Sequence, residues 1–280
     1  VMLGAGGALA QVSITTLDAS PPYTQNFNHP DGLEQTGSGG LGSHLPDGWV
    51  FLESGGTQLT TYGVGTGSST TGNTYSFGPS GDPDRAFGGL AGTVRTTDGA
   101  SFKNNTGLPI ASVDITFFGE MWRLGDSTVD TLPFEFSTTA TSLSNGTWTP
   151  RPEVALTRAS MPCDAASTCG PVDLAKDGNA TAFRVQRSLT IEVDIAAGGT
   201  LWIRWPDANQ TGTDHGFGID DFTLVAHGPV PDPVLSVVKI ADAVDAPTAP
   251  GDTITYEVVI GHDPASNEAA ATIVFIDTLP

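Results

Sequence analysis

Positive charge is the scarcest property of this 280-residue chain: 11 lysine and arginine residues stand against 31 acids, a formal net charge of −20. Only three of those bases are lysine. A surface of that sign repels the phosphates of nucleic acid and anionic lipid, and no Lys/Arg cluster makes a local exception. Nucleic acid is therefore excluded as an expected partner. Long apolar runs are missing too: no segment approaches the ~18 residues of a membrane-crossing helix, so no transmembrane segment is expected. No stretch carries a convincing helical period of about 3.6 residues. Cysteine is limited to Cys163 and Cys169. Two cysteines with no histidine close in sequence make a poor zinc site. Their short spacing, with Pro162 and Gly170 flanking, fits a loop-closing disulfide and an oxidising compartment.

What is abundant points to strands and turns. Glycine (35) and proline (20) are frequent, while hydrophobic residues reach 38% and aromatics 8%, too apolar a mix for a disordered chain. Residues 185–195 alternate cleanly, with Val185, Leu189, Ile191, Val193 and Ile195 on one face and Gln186, Ser188, Thr190, Glu192 and Asp194 on the other. Residues 112–118, 132–137, 200–205 and 217–225 read as further strands, separated by Gly/Pro/Asn/Asp clusters such as 78–84 and 208–214. Residues 36–72 read as long loops around one strand at Trp49-Val50-Phe51. Several short strands with frequent turns predict an all-β, two-sheet sandwich over residues 11–227.

Both ends carry expectations of their own. Residues 1–10 are small and apolar with an Ala-x-Ala-like close, which reads as a signal-peptide remnant or as a Gly-rich N-terminal arm. Residues 228–233 form a Pro-rich linker. Residues 234–280 hold only about three strands, too few to close a sandwich of about seven. They predict an incomplete immunoglobulin-like β domain whose open sheet invites strand addition.

An ordered set of motifs adds a resemblance. Tyr23-Thr24-Gln25-Asn26-Phe27-Asn28, Leu45-Pro46-Asp47-Gly48-Trp49, Tyr75-Ser76-Phe77-Gly78, Asp84-Arg85-Ala86-Phe87-Gly88, Gly119-Glu120-Met121-Trp122-Arg123, Trp202-Ile203-Arg204-Trp205 and Gly218-Ile219-Asp220-Asp221-Phe222 occur in that order. Over residues 20–226 this series resembles a jelly-roll module of secreted bacterial multidomain proteins, often found ahead of extracellular endonuclease/phosphatase domains. The segments Leu235-Ser236-Val237-Val238-Lys239, Ala249-Pro250-Gly251-Asp252-Thr253-Ile254-Thr255-Tyr256 and Asp277-Thr278-Leu279-Pro280 resemble the start of a repeat domain of bacterial surface proteins. The resemblance implies a jelly-roll β-sandwich, outside the cell or on its surface.

Two constellations carry candidate chemistry. The closing strand also resembles that of carbohydrate-binding jelly rolls, in which a calcium ion ties the opening strand to a closing-strand aspartate. The resemblance thereby implies a structural Ca2+ at Asn28 with Asp220 or Asp221. The competing reading is an inward aspartate paired with Arg204 or Arg123. The second constellation follows from alternation: Glu120 and Trp122 share one strand face, as do Trp202 and Arg204. Were those strands neighbours, two indoles, a carboxylate and a guanidinium would line a shallow glycan site. The competing reading makes both tryptophans core, with Glu120 paired to Arg204 or Arg123. Glu120 and Glu135 are weak candidates for a hydrolytic acid pair, and His215 reads as a turn histidine. The expected function is a non-catalytic extracellular adhesion or carbohydrate-binding module. Its alternatives are a filament or surface-layer subunit assembling with copies of itself, and an accessory region of a secreted hydrolase. Its expected partners are accordingly a glycan or cell-surface polymer, or further copies of the chain.

Overall fold

The computed structural model describes residues 10–35, 41–229, 235–241 and 256–262. The expectations for residues 1–9, for the prolines of 230–233 and for a strand at 271–276 lie outside the described residues. The chain forms two compact units, Val1–Gly228 and Pro229–Pro280.

The first unit begins with β1 (Val12–Ile14), β2 (Tyr23–Gln25), β3 (Leu41–Gly42), β4 (Trp49–Gly55), β5 (Tyr62–Gly65) and β6 (Asn73–Phe77). It continues through β7 (Ala86–Leu90), β8 (Val94–Asn104), β9 (Ile110–Leu124), β10 (Thr131–Leu132), β11 (Glu135–Ser137) and β12 (Thr149–Pro150). β13 (Leu156–Thr157) precedes a short α-helix, α1 (Pro162–Ala165). β14 (Leu174–Ala175), β15 (Arg184–Ile195), β16 (Thr200–Asp207) and β17 (Gly216–His227) complete it. The second unit contributes β18 (Leu235–Ala241) and β19 (Tyr256–His262), paired antiparallel with Val238 opposite Val259.

The fold of the first unit is an all-β sandwich. One sheet runs β1-β8-β16-β11-β12, and β4 also pairs with β8. β1 and β4 share one edge of β8, β1 against residues 102–104 and β4 against residues 94–100. The larger sheet runs β14-β9-β17-β7-β6-β5-β3, with β15 on β9 and β2 on β17. The sheets meet through one core. Trp49, Phe102, Ile203 and Trp205 come from the first sheet, and Phe87, Val113, Ile115, Phe117, Phe217, Ile219 and Phe222 from the second. Each contributor follows the period of two along its strand, which places its apolar side chains between the sheets.

Two departures from simple alternation matter below. β8 has no apolar run: its inner face reads Val94, Thr96, Asp98, Ala100, Phe102, so periodicity assigns no strand there, yet it lies between β4 and β16. Residues 36–72 hold β3 and β5 in addition to the expected strand β4. In β17, the register against β9 shifts between Asp220 and Thr223, and Asp221 takes a positive φ of 46°. This bulge inserts one residue, so Phe217 and Ile219 point inward before it and Phe222, Leu224 and Ala226 after it. Asp220 lies on the outer face by simple alternation after Ile219, and the bulge keeps Asp221, which alternation would have sent inward, out of the core.

Candidate functional site

The expected glycan face does not form. Glu120 and Trp122 lie on β9 in the larger sheet, whereas Trp202 and Arg204 lie on β16 in the other. Neither indole is available: Trp122 is 1% and Trp202 3% exposed. Trp122 stacks on Phe77 with ring centroids 6.0 Å apart and donates its Nε1–H to Glu120 Oε2 at 3.0 Å. A loop closes over it, with Lys176 N–H donating to the Trp122 carbonyl at 2.8 Å. Only glycine fits at position 178 of that loop, since a Cβ there would sit 2.4 Å from Trp122 Cε2. Trp202 packs with Ala140 and Leu143 beneath residues of the β11–β12 connection. Arg204 stacks 3.9 Å over Trp148 and donates from Nε to Glu135 Oε2 at 2.7 Å. This also ties Glu135 to a cation rather than to Glu120. Alternation identifies the outer faces, but not the loops that lie on them.

The acids of the closing strand gather elsewhere. Arg184, directly opposite Glu120 across β15 and β9, places Nε 2.8 Å from Glu120 Oε1, out of line for a hydrogen bond. Its Nη2 lies 3.4 Å from Asp220 Oδ2 and 2.5 Å from Asp221 Oδ2, and its guanidinium covers the Phe118 ring at 3.8 Å. Burial pushes the Glu120 carboxyl up to about 8, although Arg184 pulls the other way. Burial and the neighbouring Glu120 push Asp220 up to about 9. Asn28 joins neither aspartate in this pairing: its Oδ1 accepts the backbone N–H of Arg85 at 3.0 Å. Arg184 is thus the ion-pair partner of Asp220 and Asp221, and the partner of Glu120 is Arg184 rather than Arg204 or Arg123.

A third place combines concavity with unsatisfied polar atoms. A cleft of about 370 Å³ opens between the 128–131 segment, the β13–α1 connection and the start of β17. Thr128, Val129, Asp130, Thr131, Thr157, Arg158, Asp164 and His215 line it. The wall at 157–160 is built by a reciprocal cap: Thr157 Oγ1 accepts Ser160 N–H at 3.2 Å, and Ser160 Oγ accepts Thr157 N–H at 3.1 Å. Arg158 Nε donates to Asp164 Oδ1 at 2.9 Å, and the Cys163–Cys169 disulfide closes the loop that follows. At the floor, Asp130 and His215 are almost completely buried. Asp130 Oδ2 accepts the His215 backbone N–H, leaving Oδ1 without a partner. His215 Nδ1 accepts Gly125 N–H at 2.9 Å, so the neutral ring carries its proton on Nε2, which also has no partner. Burial, reinforced by the positive charge of Arg158, lowers His215 to about 4. Burial raises Asp130 to about 6 against the opposing His215 N–H. At neutral pH one N–H donor and one carboxylate acceptor therefore lie without partners, buried just beneath the floor.

This pair was not legible in advance, because Asp130 and His215 are 85 residues apart and His215 sits in a Gly/Thr/Asn-rich loop. The dipeptide Asp214-His215 was the one local signal. No protein-family model matches the chain, and no curated protein matches it. Among solved structures the chain is similar to the isomalto-dextranase of Arthrobacter globiformis T6 complexed with panose, at 13% identity and a TM-score of 0.31. The match covers 77% of this chain and 33% of that chain, so this protein corresponds to about a third of the enzyme's length. Likeness at that level carries no argument about substrate or activity.

Proposed function

We propose that the β-sandwich is a non-catalytic, extracellular carbohydrate-binding or adhesion module, and that it holds a neutral polyhydroxylated ligand in the Asp130–His215 cleft. The observation that carries this reading is the pairing of an unpartnered donor, His215 Nε2–H, with an unpartnered acceptor, Asp130 Oδ1, just beneath a floor walled by three threonines. Ligand charge is decided by repulsion. Asp130 and Asp164 disfavour an anion, and Arg158 disfavours a cation. A sugar hydroxyl both donates and accepts, which suits a surface that offers both. The cleft volume falls within the range of about 300–1,000 Å³ usual for small-molecule sites. The non-catalytic reading is supported by Asp164, the second carboxylate lining the cleft, which is held by Arg158 and so is poorly placed to act as partner acid to Asp130. The disulfide supports an oxidising, extracellular setting.

The test is calorimetric titration with a panel of soluble oligo- and polysaccharides. Asp130→Asn and His215→Gln should each weaken binding about tenfold, the cost of one lost polar contact of about 1.4 kcal/mol. Binding to the unaltered protein should weaken below about pH 6 as Asp130 takes up a proton and loses its acceptor role. Affinities unchanged in both variants would remove the site, and release of reducing ends from any bound polysaccharide would overturn the non-catalytic reading.

A further inference from the structure

At one end of the inter-sheet core the apolar packing gives way to acids. Glu53 on β4 and Asp207 on β16 both lie directly opposite Thr96 of β8, one on each side. Asp98 follows two residues along β8 on the same face. Side chains opposite one another on neighbouring strands start about 5 Å apart, so the three carboxylates share one patch. All three are buried, at 4% exposure for Glu53, 2% for Asp98 and 4% for Asp207. Thr74 faces them from β6: its backbone N–H donates to Glu53 Oε1 at 3.0 Å. The Thr96 hydroxyl also points across the gap, since a Cβ on Gly89 of β7 would lie 2.2 Å from its Oγ1.

What this patch lacks is a positive charge. Among the described residues, no lysine, arginine or histidine lies within ion-pair distance of Glu53, Asp98 or Asp207. Four buried oxygens have no hydrogen-bond partner: Asp98 Oδ1, Asp207 Oδ1, Thr74 Oγ1 and Thr96 Oγ1. The contrast with Glu120 and Asp220 is direct, because those acids have Arg184. Burial and neighbouring carboxylates, with no basic side chain opposing them, raise both Asp98, to about 8, and Asp207. Orphaned carboxylates in a dry core are costly unless a cation compensates them. Every orphaned oxygen here is a hard ligand, and no sulfur or imidazole is among them, which selects an alkaline-earth ion over zinc.

We propose that the patch formed by Asp98, Asp207 and Thr96, bordered by Glu53 and Thr74, binds a calcium ion between the two sheets. Among the described residues, no three His, Cys, Asp or Glu side chains are already drawn together as a metal site. The ion would accordingly be held by two carboxylates with hydroxyl and further oxygens, and the Asp98 and Asp207 side chains close on it. Calcium is favoured over magnesium because a mixed set of six to eight oxygens from several strands suits its flexible coordination better than a strict octahedron.

The experiment uses the full chain after treatment with a chelator. Calcium should bind one-to-one and raise the melting temperature saturably, because it binds the folded state alone. Asp98→Asn and Asp207→Asn should each weaken calcium binding at least tenfold, while Asp220→Asn leaves it unchanged. A second readout needs no variant of an acid. Trp205 lies directly opposite Asp98, so terbium bound in the patch should luminesce on tryptophan excitation and be displaced by calcium. Trp205→Phe should remove most of that emission. A melting temperature indifferent to calcium, calcium binding that survives Asp98→Asn with Asp207→Asn, or bound terbium with no tryptophan-sensitised emission would each overturn the proposal.

Discussion

Arg184 shows how much one side chain can decide. It is the only basic group touching Glu120, Asp220 and Asp221 among the described residues, and two of those acids are buried. Removing one partner of a buried pair costs about 3–5 kcal/mol, since the other is left uncompensated. Above about pH 9, where both buried acids are ionised, Arg184→Met should therefore lower unfolding free energy by about 3 kcal/mol, read from urea titration. Adding Glu120→Gln to that variant should return part of the loss, because the orphaned charge is then gone. A single-variant loss near zero would mean that water, not Arg184, neutralises the cluster. Trp122 and Trp202 carry the complementary lesson. Each sits on an outward-facing strand position, and each is sealed by a loop whose approach depends on residues far away in sequence, Gly178 for one and Leu143 for the other.

Among the elements, β17 and the β13–α1 connection do the most to place chemistry. The bulge at Asp220-Asp221 lets β17 keep its apolar side chains in the core on both sides of the irregularity while holding Asp221 outside the core, on Arg184. The β13–α1 connection supplies Thr157, Arg158 and Asp164 to the cleft, and it is pinned just beyond them by Cys163–Cys169. Closing a loop this short restricts the unfolded chain by about 2 kcal/mol. Replacing both cysteines by serine should lower stability by about that amount while leaving the far-ultraviolet β signature intact. It should also weaken ligand binding in the cleft, measured by the same calorimetry. Undiminished affinity would show that the capped turn at Thr157–Ser160 holds the wall without the disulfide.

For the molecule as a whole, the buried acids set how stability changes with pH. Glu120 and Asp220 titrate at about 8 and about 9 in the folded protein, against about 4 in an unfolded chain. Between those limits the native state keeps protons that the unfolded state has released, so this contribution is full below about pH 4 and declines as pH rises to about 9. The net charge of −20 at pH 7 acts in the same direction through self-repulsion. Urea midpoints measured in chelator should fall from pH 5.5 to pH 8.5, and the fall should shrink in a Glu120→Gln, Asp220→Asn variant. A midpoint that instead rises with pH would place these carboxylates in their ionised form.

The all-β class, the faces of β9 and β15 and the pairing of Cys163 with Cys169 could be read from the sequence, because alternation and a short cysteine spacing are local properties of the backbone. β8 could not: its inner face carries Thr96 and Asp98 where periodicity looks for apolar residues, and its place between two partner strands overrides that local signal. The meeting of Asp130 with His215, of Glu120 with Arg184, and of Glu53, Asp98 and Asp207 in one patch was decided by tertiary structure alone. Strand register and the loops laid over each sheet bring together charges that the chain keeps dozens of residues apart, and burial then determines which of them need a partner.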